Sequence, residues 1–262
     1  MKTYSHLNEF INIIRRLRAP GGCPWDRKQT HKSLKPYVLE ETYEVLEAID
    51  SGDPEHLKEE LGDLLLQVIL HAQVASDQGA FTIEDVAKLV SEKMIRRHPH
   101  VFGNAKVKDA DEVLTNWVAI KRDEKINKGK QPSVFDGIPK HLPALFENYK
   151  ISRRVARMGF DWKKPEDVFE KVLEELGETR RAVKKKNKTH IEEELGDLLF
   201  TVANLCRAYN VNPELTLRQA NKKFMKRFEK IERRLLRDNL DPQKISFKKW
   251  NELWERAKKS QT

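Results

Sequence analysis

The sequence predicts an all-α protein made of two tandem helical bundles, and three observations lead there. Apolar residues recur at helical spacing along most of the chain, while neither half shows a convincing strand alternation. An acidic helical hairpin occurs twice, 134 residues apart. Between the two copies, Lys128 to Pro143 is irregular, with three prolines and two glycines. A repeat of this length points to two domains of about 130 residues, here 1–128 and 144–262 joined by a linker at 129–143. Val134, Phe135 and Ile138 in that linker indicate that it packs against something.

Leu7 to Leu17 reads as an amphipathic helix that stops at Ala19-Pro20-Gly21-Gly22. Cys23-Pro24-Trp25-Asp26 reads as irregular. Then comes the first hairpin, Leu39 to Val68, with Glu40, Glu41 and Glu44 before a turn and Glu59, Glu60 and Asp63 after it. The turn itself, Ser51-Gly52-Asp53-Pro54, reads as a helix stop, an N-cap Asp and a Pro at the first helical position. Glu41 and Asp63 lie equally far from Gly52. At ~1.5 Å per residue they reach similar heights, so four carboxylates can converge between two antiparallel helices. Phe81 to Arg97 is a further core helix on Ile83, Val86, Val90 and Met94, ended by His98-Pro99-His100. The two histidines there read as part of a rigid stop, since no third ligand is in register. Asp109 to Asn127 is the last helix of this half, carrying Trp117 and Lys121.

The second half repeats the order. Arg153-Arg154-Val155 echoes Arg15-Arg16-Leu17, and Gly159 to Trp162 echoes Gly22 to Trp25. Glu175, Glu178, Glu194 and Asp197 fall 134 places after Glu41, Glu44, Glu60 and Asp63, and His190 echoes His56. A helix from Leu215 to Asp238 places Lys223 and Arg227 four apart, as Lys93 and Arg97 are in the first half. Trp254 to Lys258 answers Trp117 to Lys121.

A lone EExxE on a surface helix is ordinarily a solvated face. Here the acids are set among Leu, Val and Ile, beside a buried stripe, and clustered carboxylates need a neutralising charge. Oxygen-only donors favour Mg²⁺, or Mn²⁺, over zinc. Lys223 and Arg227, with Lys222 beside them, would hold phosphates across from the acids; a merely solvated basic face is the alternative. Glu175 would ligate the ion or take a proton from a water that the ion acidifies. Trp25 and Trp162 read as core residues, whereas Trp254, beside Glu255 and Arg256, could stack on a base.

Composition narrows the classes. Of 262 residues, 35% are charged and 39% hydrophobic, with a net charge of +9, which suits a polyanionic ligand. No apolar stretch is long enough to span a membrane, and the N-terminus carries no signal-peptide pattern. Cys23 and Cys206 are too few and too unlike for a disulfide framework, so a cytoplasmic protein is expected. Nothing matches GxxxxGK[ST], which disfavours a P-loop mechanism.

The tandem EExxE…ExxD pattern, with GGCPWD, LEETYEVL, EELGDLLLQV, RRHPHVF and the later EEELGDLLF, resembles the MazG family of all-α nucleoside triphosphate pyrophosphohydrolases. The resemblance spans nearly the whole chain. It implies Mg²⁺-dependent cleavage of ribo- and deoxyribonucleoside triphosphates to monophosphate and pyrophosphate, and a homodimer whose subunits share each site. It implies metal ligands at Glu41, Glu44, Glu60 and Asp63, and at Glu175, Glu178, Glu194 and Asp197. Asn221 is a candidate fifth oxygen ligand, standing where the first half has Ser91 before Glu92, and this favours the second half as the main catalytic one. His190, Trp254, Lys222, Lys223, Arg227, Lys93 and Arg97 are the candidate substrate contacts, and nucleic acid is not an expected ligand. The alternative class is a non-catalytic helical module binding nucleic acid or protein, with Arg180-Arg181 and Lys184-Lys185-Lys186 in its support.

Overall fold

The computed structural model describes residues 5–127, 129, 131 and 133–259, and among them there are helices and connections but no strand. Lys128, at the end of the first expected domain, and Lys130 and Pro132 of the expected linker lie outside the described residues. The chain divides into two compact units, Met1–Lys130 and Gln131–Thr262.

Unit 1 contains α1 (Ser5–Arg18), α2 (Pro24–Lys28), α3 (Lys35–Ser51), α4 (Pro54–Asp77), α5 (Ile83–Arg97), α6 (Pro99–Phe102) and α7 (Ala110–Ile126). Its core is Ile14, Leu34, Ile69, Leu70 and Val74, with Phe10, Ile11, Leu17, Leu66 and Ile83 packed around them. Each such side chain contributes on the order of 1.5–3 kcal/mol when fully buried. Helix starts follow local chemistry. The Asp53 carboxylate accepts from the Glu55 N–H at 2.9 Å, and Thr82 and Asp85 form a capping box. Arg18, almost fully buried, ties the end of α1 to Asp77 at the end of α4, Nε to Oδ2 2.7 Å.

Two elements depart from the sequence reading. Cys23 to Asp26 is not irregular: Pro24 opens the short α2, a position where its missing N–H costs nothing. Gly22 before it is required, because a Cβ there would sit 2.3 Å from the Leu17 carbonyl oxygen. Helix α5 is not a core helix within its own unit. It has no fully buried residue, and Val90 is exposed.

Unit 2 contains α8 (Ala144–Ala156), α9 (Pro165–Lys185), α10 (Lys188–Ala208), α11 (Pro213–Arg237) and α12 (Phe247–Lys259). Helix α10 packs on α8 and α9, and α11 on α8, α10 and α12. The Asn148 side-chain amide donates to the Phe200 carbonyl at 3.2 Å, fixing α8 to α10. Ile231, Leu235, Leu253 and Ala257 form a small core between α11 and α12, sealed by Phe228, Trp250 and Trp254 among others. The segment around 134–136 is held by the Arg154 guanidinium, which donates to the Val134 carbonyl at 2.9 Å and also to that of Asp136.

Candidate metal centre

The two helices of each hairpin are joined by one tight turn, so residues equidistant from the turn come face to face. In unit 1, carboxylate oxygens of Glu41, Glu60 and Asp63 all lie within 4.8 Å of one another. Glu44 is exposed and reaches the Glu41 carboxyl. The Glu41 carboxyl is held above its ordinary range, first by burial, then by the charge of Asp63 and by Glu44; the Gln67 amide opposes this. That amide donates to Glu41 Oε1 at 3.4 Å, while the buried Gln67 Oε1 finds no hydrogen-bond partner among the described residues. His56 Nε2 lies 3.2 Å from Glu60 Oε1.

In unit 2, carboxylate oxygens of Glu175, Glu178 and Glu194 gather within the same 4.8 Å, and Glu175 is only 6% exposed. Asp197 is exposed on α10 and is not one of these three. Lys171, one helical turn before Glu175, places Nζ 2.8 Å from Glu175 Oε1 and 2.9 Å from Glu174 Oε1. These two carboxylates raise the Lys171 ammonium well above its usual range. Arg181 Nη2 donates to Glu178 Oε1 at 2.9 Å. His190 Nε2 lies 3.5 Å from Glu194 Oε1. The Thr179 hydroxyl sits at the carbonyls of Glu175 (2.9 Å) and Glu194 (3.3 Å), pinning α9 to α10 beside the acids. Both clusters suit a small hard cation. They offer oxygen donors only, and the crowded Glu41 carboxyl lacks the counter-charge that such an ion supplies.

The cationic candidates follow a parallel scheme. On α5, Arg97 chelates Glu124, Nη2 to Oε2 2.6 Å and Nε to Oε1 3.3 Å, with its guanidinium 5.5 Å over the Trp117 ring. The Arg97 hydrogen bonds, helped by Arg96 and opposed by burial, bring the Glu124 carboxyl down to about 2. On α11, the Arg227 guanidinium stands 5.8 Å over the Trp254 ring, and the Phe224 ring lies 5.1 Å from that indole, tilted by 42°. Asn221 and Lys223 are exposed; Lys222 and Lys93 are half-buried.

A model of the MazG nucleotide pyrophosphohydrolase domain matches this chain twice, over residues 29–102 and 163–235. This chain belongs to the MazG family. It is 49% identical over 251 residues to the nucleoside triphosphate pyrophosphohydrolase/pyrophosphatase MazG of Thermotoga maritima, covering 95% of this chain and 94% of the relative. It is 42% identical over 262 residues to the nucleoside triphosphate pyrophosphohydrolase of Escherichia coli K12, covering 98% of both. A Bacillus subtilis protein, YabN, is 47% identical over 98% of this chain, which spans 53% of that longer protein. Each MazG match encloses one complete set of four acids, and the second also encloses Asn221 to Arg227; Trp117 and Trp254 fall outside.

Sequence reasoning missed several neighbours of the MazG acids. Lys171 and Arg181 were legible as i, i+4 and i, i+3 partners of Glu175 and Glu178. Gln67 and Thr179 left no such signal, because their roles depend on which helix lies opposite. Trp25 and Trp162 are not core residues: they are 51% and 39% exposed, Trp25 standing edge-on to Tyr37 at 6.0 Å. The apolar stripe beside the acids is also only half buried. Leu61, Leu65 and Val68 on α4, and Leu195, Leu199 and Phe200 on α10, remain exposed in the single chain.

Proposed function

We propose that this MazG chain is a Mg²⁺-dependent nucleoside triphosphate pyrophosphohydrolase, splitting ribo- and deoxyribonucleoside triphosphates into monophosphate and pyrophosphate. The observation that carries the reading is the carboxylate cluster set between two helices in each family match, beside relatives named for this reaction. A water oxygen bonds to the α-phosphorus, the bond from that phosphorus to the bridging oxygen breaks, and one proton is released. In unit 2, Glu175, Glu178 and Glu194 would hold the cation, with Asp197 and Asn221 as exposed oxygens able to complete the set. When bound, a divalent cation offsets triphosphate charge and acidifies water. Mn²⁺ would substitute, being a hard cation with the same taste for oxygen.

Alternatively, where it does not ligate the cation, Glu175 is the proposed proton acceptor. Its burial restricts its rotamers, and Lys171 holds Oε1, leaving Oε2 to receive the proton. Lys222, Lys223 and Arg227 bind phosphate oxygens, Arg227 being oriented by Trp254, and His190 orients Glu194. Unit 2 is the main catalytic unit in this reading, and 1–128, 129–143 and 144–262 remain the proposed domain bounds. The exposed leucines beside both acid clusters support a homodimer, since contiguous apolar surface of this kind marks association sites. No helix among the described residues is long and apolar enough to cross a membrane; we place the protein in the cytoplasm, acting on the nucleotide pool.

The test is pyrophosphate release from a mixed pool of ribo- and deoxyribonucleoside triphosphates, with and without Mg²⁺, alongside light scattering. Release only with the cation, by a dimer, is expected. Absence of release under both conditions would leave the helical binding module as the better reading.

A further inference from the structure

The last three turns of α11 carry Lys230, Arg233, Arg234 and Arg237 at i, i+3, i+4 and i+7, which is one helix face. Arg256 of α12 joins them, and together they rim an open depression of about 230 Å³. Its floor is the buried carbon of Ile231, Leu253 and Ala257. The acids of unit 2 stand on α9 and α10, so this is a different surface from the candidate metal centre.

Two carboxylates answer the arginines. Glu229 Oε2 lies 3.6 Å from Arg233 Nη2, and Asp238 is shared by Arg234 at 3.2 Å and Arg237 at 3.3 Å. Four guanidinium groups and two carboxylates carry a net charge of +2 among them. Like charges one turn apart oppose helix formation, and an anion bridging them reverses the sign of that interaction. Three properties narrow the anion. Guanidinium groups match phosphate oxygens with paired N–H donors, which a cluster of lysines would not do. An apolar floor lowers the local dielectric and strengthens each contact. The depression is smaller than the ~300–1,000 Å³ of pockets that enclose organic ligands, so it suits phosphoryl groups rather than a whole nucleoside.

We propose that the α11–α12 depression binds a small polyphosphate anion, for which inorganic pyrophosphate is the probe. The proposal is independent of the catalytic reading; if both hold, the site retains the reaction's own product. The experiment is a calorimetric titration of pyrophosphate into the full-length protein in EDTA at low ionic strength, where no divalent cation can draw phosphate to the acids. Saturable binding is expected, weakened tenfold or more in Arg237→Ala and Arg256→Ala and unchanged in Lys223→Ala. Arg256→Lys, which keeps the charge and loses the fork, should fall between. Arg233 and Arg237 side chains are 77% and 69% exposed, so their removal leaves the fold intact, and Arg233→Ala provides a second variant. Absence of saturable binding overturns the proposal. So does a loss confined to Lys223→Ala, which would move the anion to the candidate phosphate site. A short DNA duplex that binds more tightly than pyrophosphate and is weakened by the same arginine variants would also overturn it, making the face a phosphodiester-backbone surface.

Discussion

The same acids sit in both hairpins, but their neighbours differ, and the neighbours set the electrostatics. Position by position, with the spacing of 134, Tyr37 of unit 1 becomes Lys171 and Glu47 becomes Arg181. The first change adds a positive charge and the second replaces a negative charge with a positive one, so these two positions shift the charge beside Glu175 and Glu178 by +3 (+1 and +2). There the two added cations hold Glu175 and Glu178 directly. In unit 1 the Glu41 carboxyl meets two other carboxyls and an amide, and is raised. The carboxylate pattern alone therefore specifies a place for a cation; the surrounding charges decide how strongly it is needed and what else the site tolerates.

The largest expected effect divides the two units by activity. Glu178→Gln removes a charged candidate ligand of the same size and should lower pyrophosphate release by about 100-fold, the scale of losing metal-site integrity. Glu44→Gln should cost much less if unit 2 is the main catalytic unit, as proposed. Steady-state pyrophosphate assays on both folded variants check this, and a more damaging Glu44→Gln would reverse the assignment.

A smaller effect concerns Lys171. Its ammonium occupies Glu175 in the absence of a cation, so it competes with one. Lys171→Met should tighten Mn²⁺ binding by roughly tenfold or less, within the ~1.5–3 kcal/mol of a charge-assisted hydrogen bond discounted for partial exposure. Electron paramagnetic resonance titration reads this directly. Tyr37→Lys, the mirror change, should weaken Mn²⁺ binding in unit 1 if the comparison is right.

A smaller difference between the units depends on pH. His31 and His71 Nδ1 atoms lie 2.8 Å apart with ring planes within 4°, so one nitrogen must be unprotonated to accept. Burial, and then the neighbouring His31, push the His71 imidazole below its ordinary value. The unfolded chain thus takes up a proton first as pH falls through about 6.5, and unit 1 loses stability below that pH. The corresponding residue in unit 2 is Leu205. Peptide-resolved hydrogen exchange at pH 5 and 8 should show the loss in unit 1 alone, and His71→Leu should remove it.

The smallest effect lies at the hairpin turns. Gly52 ends α3 at φ +71°, and Lys186, at the same place in unit 2, takes φ +55° with a side chain. Gly52→Ala should destabilise unit 1 by about 1 kcal/mol, and Lys186→Gly should be neutral to stabilising by a few tenths, the smaller backbone strain being offset by glycine's larger unfolded-state entropy. Denaturant midpoints measure both, and a clear destabilisation by Lys186→Gly would show that the lysine side chain is used there.

By itself the sequence determined the all-α class, the repeat and most helix limits, because helical periodicity, caps and turn residues act within a few positions of one another; of each four acids it singled out, three gather between the hairpin helices. It also carried the i, i+4 pair of Lys171 with Glu175, which is a local fact. What only the tertiary structure decided depends on which surfaces meet. Gln67 faces Glu41 because α4 lies against α3, and Thr179 reaches the Glu194 carbonyl because α10 lies against α9. The core reading failed for Trp25 and for α5 because periodicity reports that a face is apolar, not that something covers it. Burial is a property of two surfaces, and a single helix's sequence specifies one of them.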